Sequence, residues 1–338
     1  MATYTKDESR AWARENLVGA VNCTIPSFST DLTHLNEKGI RHDIALAKEH
    51  GFIGTLAIGE VSITLDEYIE FVQIAKDEGK DELLVCHHAC FNTLEENIEM
   101  VRRAEAAGAD LVLLSYPPSF YPETEDEVLE YTAAFAEATN LAIILFPMTI
   151  WNFSRLHPSD ISTRLTRRIL DAAPNVAVIK AEGGYPNIMN AVECHRLFGE
   201  EVVISVPIEG DLIPLSQLIP IQLSATSDHE YYGPVIPQIM QLIQDGKYDD
   251  ATALFWRLHP ARVAKNGLFA SVHGGSVLNR MGWKFQGWLQ GYNGGPLRMP
   301  TMRLQDKQMK AYRGALREAG FEIPEEPLKD FFIGRNPV

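Results

Sequence analysis

The chain has 338 residues, 46% hydrophobic and 22% charged, with 30 Lys+Arg against 45 Asp+Glu for a formal net charge of −15. That length buries a large core and suits one barrel-sized unit with an extension, in a soluble globular composition. The acidic balance excludes a nucleic-acid partner, since no basic surplus neutralises phosphates, and with no run of about 18 apolar residues no membrane-spanning helix is expected.

In chain order, the opening MATYTKDESRAWARENL has no apolar core of signal-peptide length and predicts a cytoplasmic protein. Apolar runs then recur as predicted strands near residues 17–23, 52–59, 82–89, 110–116, 141–146, 176–181, 202–208 and 221–226. The segments between them, such as LDEYIEFVQIAKDEG and LEENIEMVRRAEAAG, carry apolar residues at helical spacing and acids near their starts. Gly51, Gly79 and Gly108 stand where such helices would stop. Eight strand–helix units over about 215 residues predict a (β/α)8 TIM barrel. A doubly wound sheet is the alternative, but no Gly-rich phosphate loop follows the first strand. The barrel is expected over residues 1–230, its underside capped by a short helix within the first dozen residues, and a purely helical C-terminal extension over 231–338. The scattered Cys23, Cys86, Cys90 and Cys194 lack CxxC spacing and read as reduced core thiols.

The sixth strand ends in NVAVIKAEGG, residues 175–184, with one lysine closing an apolar run. A buried ammonium is costly unless it is paired, neutralised or used. Active sites of such barrels lie at the C-terminal strand ends. Two readings of Lys180 are open: a desolvated amine that attacks a carbonyl, or a lysine that snorkels outward or pairs with Glu182. Gly183 and Gly184 read as the turn ending the strand.

Several stretches, in order, resemble the dihydrodipicolinate synthase and N-acetylneuraminate lyase family of class I aldolases. They are GFIGTLAIGEVSITLDEY (51–68), ADLVLLSYPPSFYPETEDEVLEYTAAFAE (109–137), LAIILFPM, VAVIKAEGG beside the family's IKEASG, and GGPLRMP. The resemblance spans about residues 14 to 300. It implies that Lys180 forms an imine with a 2-oxo acid such as pyruvate, so that a neighbouring C–C bond is made or broken, with no separate cofactor. It also implies a homodimer or homotetramer.

Two departures stand out. The family's strand-five tyrosine, a proton relay, is Phe146 here, which leaves Tyr121 and Tyr116 as candidates for the missing hydroxyl. The family's Gly-Thr-Thr-Gly-Glu carboxylate turn is replaced by IGEVSIT, with Ser62, Thr64 or the N–H groups near Leu65 as substitutes. Thr64 reads equally as a helix N-cap, with Glu67 at the capping-box position. His87 and His88 end strand three, so one is expected to face inward, as a proton relay or a packed imidazole. Trp151 and Asn152 are candidates for an aromatic wall and an amide grip, Ser205 and Ser227 for polar contacts, and Glu182 for the lysine's counter-charge. Asp228-His229 lacks a third ligand, so no metal is expected. Asn279, Trp283 and Trp288 are candidates to roof the mouth or to pack an interface.

The expected activity is a Schiff-base lyase or aldolase, with a hydratase-aldolase acting on a bulky or aromatic aldehyde partner as one form of it. The alternatives are a 2-oxo-acid dehydratase or decarboxylase using the same imine, and a non-catalytic ligand-binding barrel.

Overall fold

The computed structural model describes residues 3–117, 119–182, 187–273, 279–301 and 303–338. Eight parallel strands close into a barrel in chain order. They are β1 (Gly19–Thr24), β2 (Gly54–Ala57), β3 (Leu84–Ala89), β4 (Leu111–Leu114), β5 (Ala142–Leu145), β6 (Val176–Lys180), β7 (Val203–Ser205) and β8 (Leu223–Ser224). The expected barrel with C-terminal helices is therefore the architecture found. Closure rests on the two-residue β8, whose Leu223 pairs with Ser205 on one side and Gly19 on the other.

The helices are α1 (Ser9–Asn16), α2 (Glu37–Glu49), α3 (Leu65–Gly79), α4 (Leu94–Ala106), α5 (Glu125–Glu137), α6 (Thr163–Ala172), α7 (Asn187–Phe198) and α8 (Leu212–Ser216). After β8 come α9 (Val235–Gln244), α10 (Tyr248–Arg257), α11 (His259–His273), α12 (Arg280–Leu289) and α13 (Asp306–Glu318). Outer-ring helices start with the same local chemistry: the side chains of Asn36, Thr64, Thr93, Thr124 and Ser162 each accept a first-turn N–H. Gly51 and Gly108 take the left-handed conformation just past α2 and α4. Gly79 does not: α3 runs through it, and Lys80 becomes the left-handed residue at φ 50°. The amino-terminal segment closes the underside, where Arg10 Nε donates to Val176 O at 3.0 Å and the Ala142 N–H donates to the Tyr4 hydroxyl at 2.8 Å.

One irregularity positions the site. Between β5 and β6 the register shifts, with Ile143 opposite Val176 but Ile144 opposite Val178. The extra residue, Ala177, resets the pairing so that Leu145 meets Ile179, and the next residues, Phe146 and Lys180, turn the same way. Among the described residues no helix is long and apolar enough to cross a membrane.

Candidate active site

The strand ends open into a cavity of about 190 Å3. Alternation along each strand aims Cys23, Leu56, His88, Leu113 and Lys180 into it, and Arg280, Trp283 and Gln286 of α12 form the wall supplied by the C-terminal helices. Lys180 is 4% exposed, and its Nζ forms an ion pair with Glu182. The same nitrogen sits 3.5 Å from the centroid of the Phe146 ring, a cation–π contact. Trp151 stands edge-on to Phe146 at 5.9 Å and donates its indole N–H to the Phe146 carbonyl at 2.9 Å, which fixes that ring against the amine. The costly lysine is thus both paired and covered.

Two further charge clusters line the cavity. Glu60, from the turn after β2, is paired with Arg280. Burial raises the Glu60 pKa, but the Arg280 guanidinium, with smaller help from His88 and Lys180, outweighs it and holds the carboxyl below its ordinary range. Lys265 of α11 lies 2.9 Å from Asp228 and 3.0 Å from Glu209. Tyr232 donates to Glu209 at 3.0 Å, and Arg262 lies 3.4 Å from it. Burial favours neutral Glu209, yet Lys265, Arg262 and that phenol bring its pKa down to about 2. A value below the unfolded one, about 4.3, means that ionised Glu209 stabilises the fold above roughly pH 5 and ceases to as pH falls toward about 2. The stability advantage over Glu209→Gln should therefore shrink across that window. Urea midpoints measured from pH 7 to pH 2.5 check this, and a constant advantage would count against it.

The sequence-predicted residues divide cleanly. Lys180, His88, Phe146, Trp151, Glu182 and Ser227 line the cavity, as do Asn279 and Trp283. His87 turns outward to the Tyr68 hydroxyl at 3.1 Å, while His88 faces in. The Gly59 N–H donates to His88 Nδ1 at 3.3 Å, so Nε2 carries the proton and donates to Ser115 Oγ at 2.9 Å. Burial pushes the His88 pKa down to about 4; Glu60 opposes this, while Arg280 and Lys180 reinforce it. His88 is therefore a neutral hydrogen-bond donor near pH 7.

The other candidates lie outside the cavity lining. Tyr121 is 65% exposed, with the Arg155 guanidinium 3.4 Å from its ring centroid. Tyr116 is buried in the outer layer between Phe120, Tyr131 and Phe153. Its hydroxyl donates to Thr132 Oγ at 2.7 Å, because the Thr132 proton goes to Val128 O. Neither phenol is placed to replace the tyrosine absent at Phe146. Thr64 is the N-cap of α3 and makes the full capping box with Glu67; Ser62, half-buried in the same turn, does not reach the cavity either. Asn152 is left-handed, exposed and set between two short helical turns. The Ser205 hydroxyl donates to Ala225 O at 2.8 Å and accepts its N–H at 2.9 Å, which stitches β7 to the end of β8. Asp228 faces the cavity, but His229 bonds the Val21 and Pro207 carbonyls, and among the described residues no cluster suited to a metal occurs. Trp288 is core, stacked on Phe285. The described cysteines are free thiols. The expected turn at Gly183 and Gly184 falls outside the described residues.

Sequence reasoning missed Arg280, Gln286, Lys265 and Glu209 altogether. For Arg280 and Gln286 the signal was charged and amide side chains inside α12, a segment otherwise apolar and aromatic, the pattern of a helix buried nearly all round.

The dihydrodipicolinate synthetase family model matches residues 34–310. The chain is 23% identical over 277 residues to 4-hydroxy-tetrahydrodipicolinate synthase from Listeria monocytogenes, across 80% of this chain and 88% of that enzyme. A shorter match, 30% over 137 residues, covers 39% of this chain and 46% of N-acetylneuraminate lyase from Pasteurella multocida. Among solved structures, PhdJ bound to a substrate intermediate superposes with a TM-score of 0.72 at 19% identity, over 95% of this chain and 97% of that one.

Proposed function

The chain belongs to the dihydrodipicolinate synthetase family, and from that premise we propose that it is a Schiff-base-forming lyase in which Lys180 forms the imine with a 2-oxo acid. One observation carries the reading: the only lysine on β6 ends its strand with its amine in a cavity, against a carboxylate and an aromatic face. The amine must be deprotonated to attack. Glu182, already hydrogen-bonded to Nζ, is the group to take that proton and to return it to the departing hydroxyl of the carbinolamine. The resulting iminium keeps the positive charge on nitrogen, where the Phe146 ring stabilises it. On cleavage the aldol hydroxyl gives its proton to the Glu182 carboxylate, the electrons of the broken C–C bond flow into that iminium, and the partner leaves as an aldehyde.

Phe146, Met148, Trp151 and Trp283 give the cavity aromatic and apolar walls. A cavity of about 150 Å3 holds benzene, so this one has room for an aryl or comparably bulky group beside the imine. That supports a bulky or aromatic aldehyde partner, including the hydratase-aldolase variant. Tyr248 and Trp256 on α10 and Val263 on α11 are exposed, which supports assembly through that face as a homodimer or homotetramer.

Intact mass after borohydride reduction with pyruvate and with larger 2-oxo acids tests the reading. A pyruvate adduct, and cleavage of a bulky aldol of pyruvate, are expected. Adducts from larger 2-oxo acids alone would favour the dehydratase or decarboxylase chemistry. A folded protein that gives none would favour a ligand-binding barrel.

A further inference from the structure

Arg280 is 5% exposed and lines the cavity that holds Lys180. Its Nη2 is paired with Glu60, but Nε and Nη1, on either side of that nitrogen, are buried with no hydrogen-bond partner among the described residues. Leaving donors of a buried guanidinium unmet is costly, and such groups are rare without a reason. Its ring contact with Trp283, 4.4 Å from the centroid, holds the guanidinium plane but meets neither N–H. Arg280 also opens α12, so the positive end of that helix adds to its charge.

The other cations of the cavity are committed. Lys265 is shared between two carboxylates, and Lys180 is the nucleophile of the reading above. In the turn expected to hold the substrate carboxylate, Thr64 and the Glu67 N–H are closed into the cap of α3, and Ser62 does not line the cavity. Two other buried polar atoms of the lining, Gln286 Oε1 and Thr226 Oγ, are likewise unpaired, so unmet hydrogen bonds gather in this wall.

We propose that Arg280 is the carboxylate receptor of the site: the carboxylate of the 2-oxo acid accepts from one of the free N–H groups of Arg280 while Glu60 holds the guanidinium in place. The assignment rests on the imine reading of Lys180, and it makes Arg280 the residue that selects acids over uncharged ketones. The alternative, a mere buttress for Glu60, affects both kinds of ligand equally.

The test is the concentration dependence of cyanoborohydride-trapped adduct for pyruvate and for methyl pyruvate, which lacks the anionic oxygen. Charge-assisted hydrogen bonds of this kind are worth about 10- to 100-fold in half-saturation. Arg280→Gln should raise the pyruvate value by that factor and leave the ester within about twofold. Because Arg280→Gln strands the Glu60 carboxylate, the double variant Glu60→Gln/Arg280→Gln, which removes both charges, should show the same selective loss. Equal losses for acid and ester, or no loss for pyruvate while Lys180 still traps it, would overturn the assignment and leave the imine reading intact. Failure of the native protein to trap either compound would remove both.

Discussion

Lys180→Ala is expected to yield no borohydride-trapped adduct with any 2-oxo acid and to lose at least about three orders of magnitude in turnover. The whole covalent route runs through one nitrogen, and among the described residues of the lining no other amine is available, since Lys265 is held by Asp228 and Glu209. Alanine also strips Glu182 of its buried cation, so a second variant separates chemistry from folding. Lys180→Arg keeps a positive charge for Glu182 and for the Phe146 face, yet a guanidinium does not add to a ketone. It should fold as the native protein does and be equally inert. Turnover that survives in Lys180→Arg would end the Schiff-base reading.

Glu182→Gln should slow formation of the trapped adduct by about 10^2- to 10^4-fold, the range for loss of a positioned acid–base group. The glutamine amide still reaches Nζ but takes no proton from it. Phe146 cannot substitute, His88 carries its proton toward Ser115, and Tyr116 is tied to Thr132 on the helix side of the barrel. The rate should be read from adduct growth with time under saturating pyruvate, because the final yield is set by Lys180. An unchanged rate would reduce Glu182 to a counter-charge.

The barrel was legible because its periodicities are local: two-residue alternation with apolar runs for strands, a 3.6-residue repeat with Thr or Asn caps for helices. Lys180 stood out for the same local reason, an ammonium at the end of a buried run. The candidates that lie outside the cavity show where local reading stops. Ser115 and Tyr116 are neighbours just past β4, and a single step of alternation sends the serine into the cavity and the tyrosine into the outer layer. Cap chemistry claimed Thr64, backbone stitching claimed Ser205, and a left-handed residue turned Asn152 to solvent. Arg280 and Gln286 were out of reach because nothing near them in the chain names their partners. Glu60 is 220 positions away from the arginine it holds.

That separation has a consequence in time. Lys180 leaves the ribosome 100 residues ahead of Arg280 (280 − 180), and at ordinary elongation rates the gap lasts roughly 5–20 s. Once β8 has followed, a closed barrel would present its amine beside Glu182 and Phe146 with the α12 wall still unmade. For that part of the interval the cell's free aldehydes and ketones meet a nucleophile with no gatekeeper, so its pairing with Glu182 is the protection available until the last helices arrive.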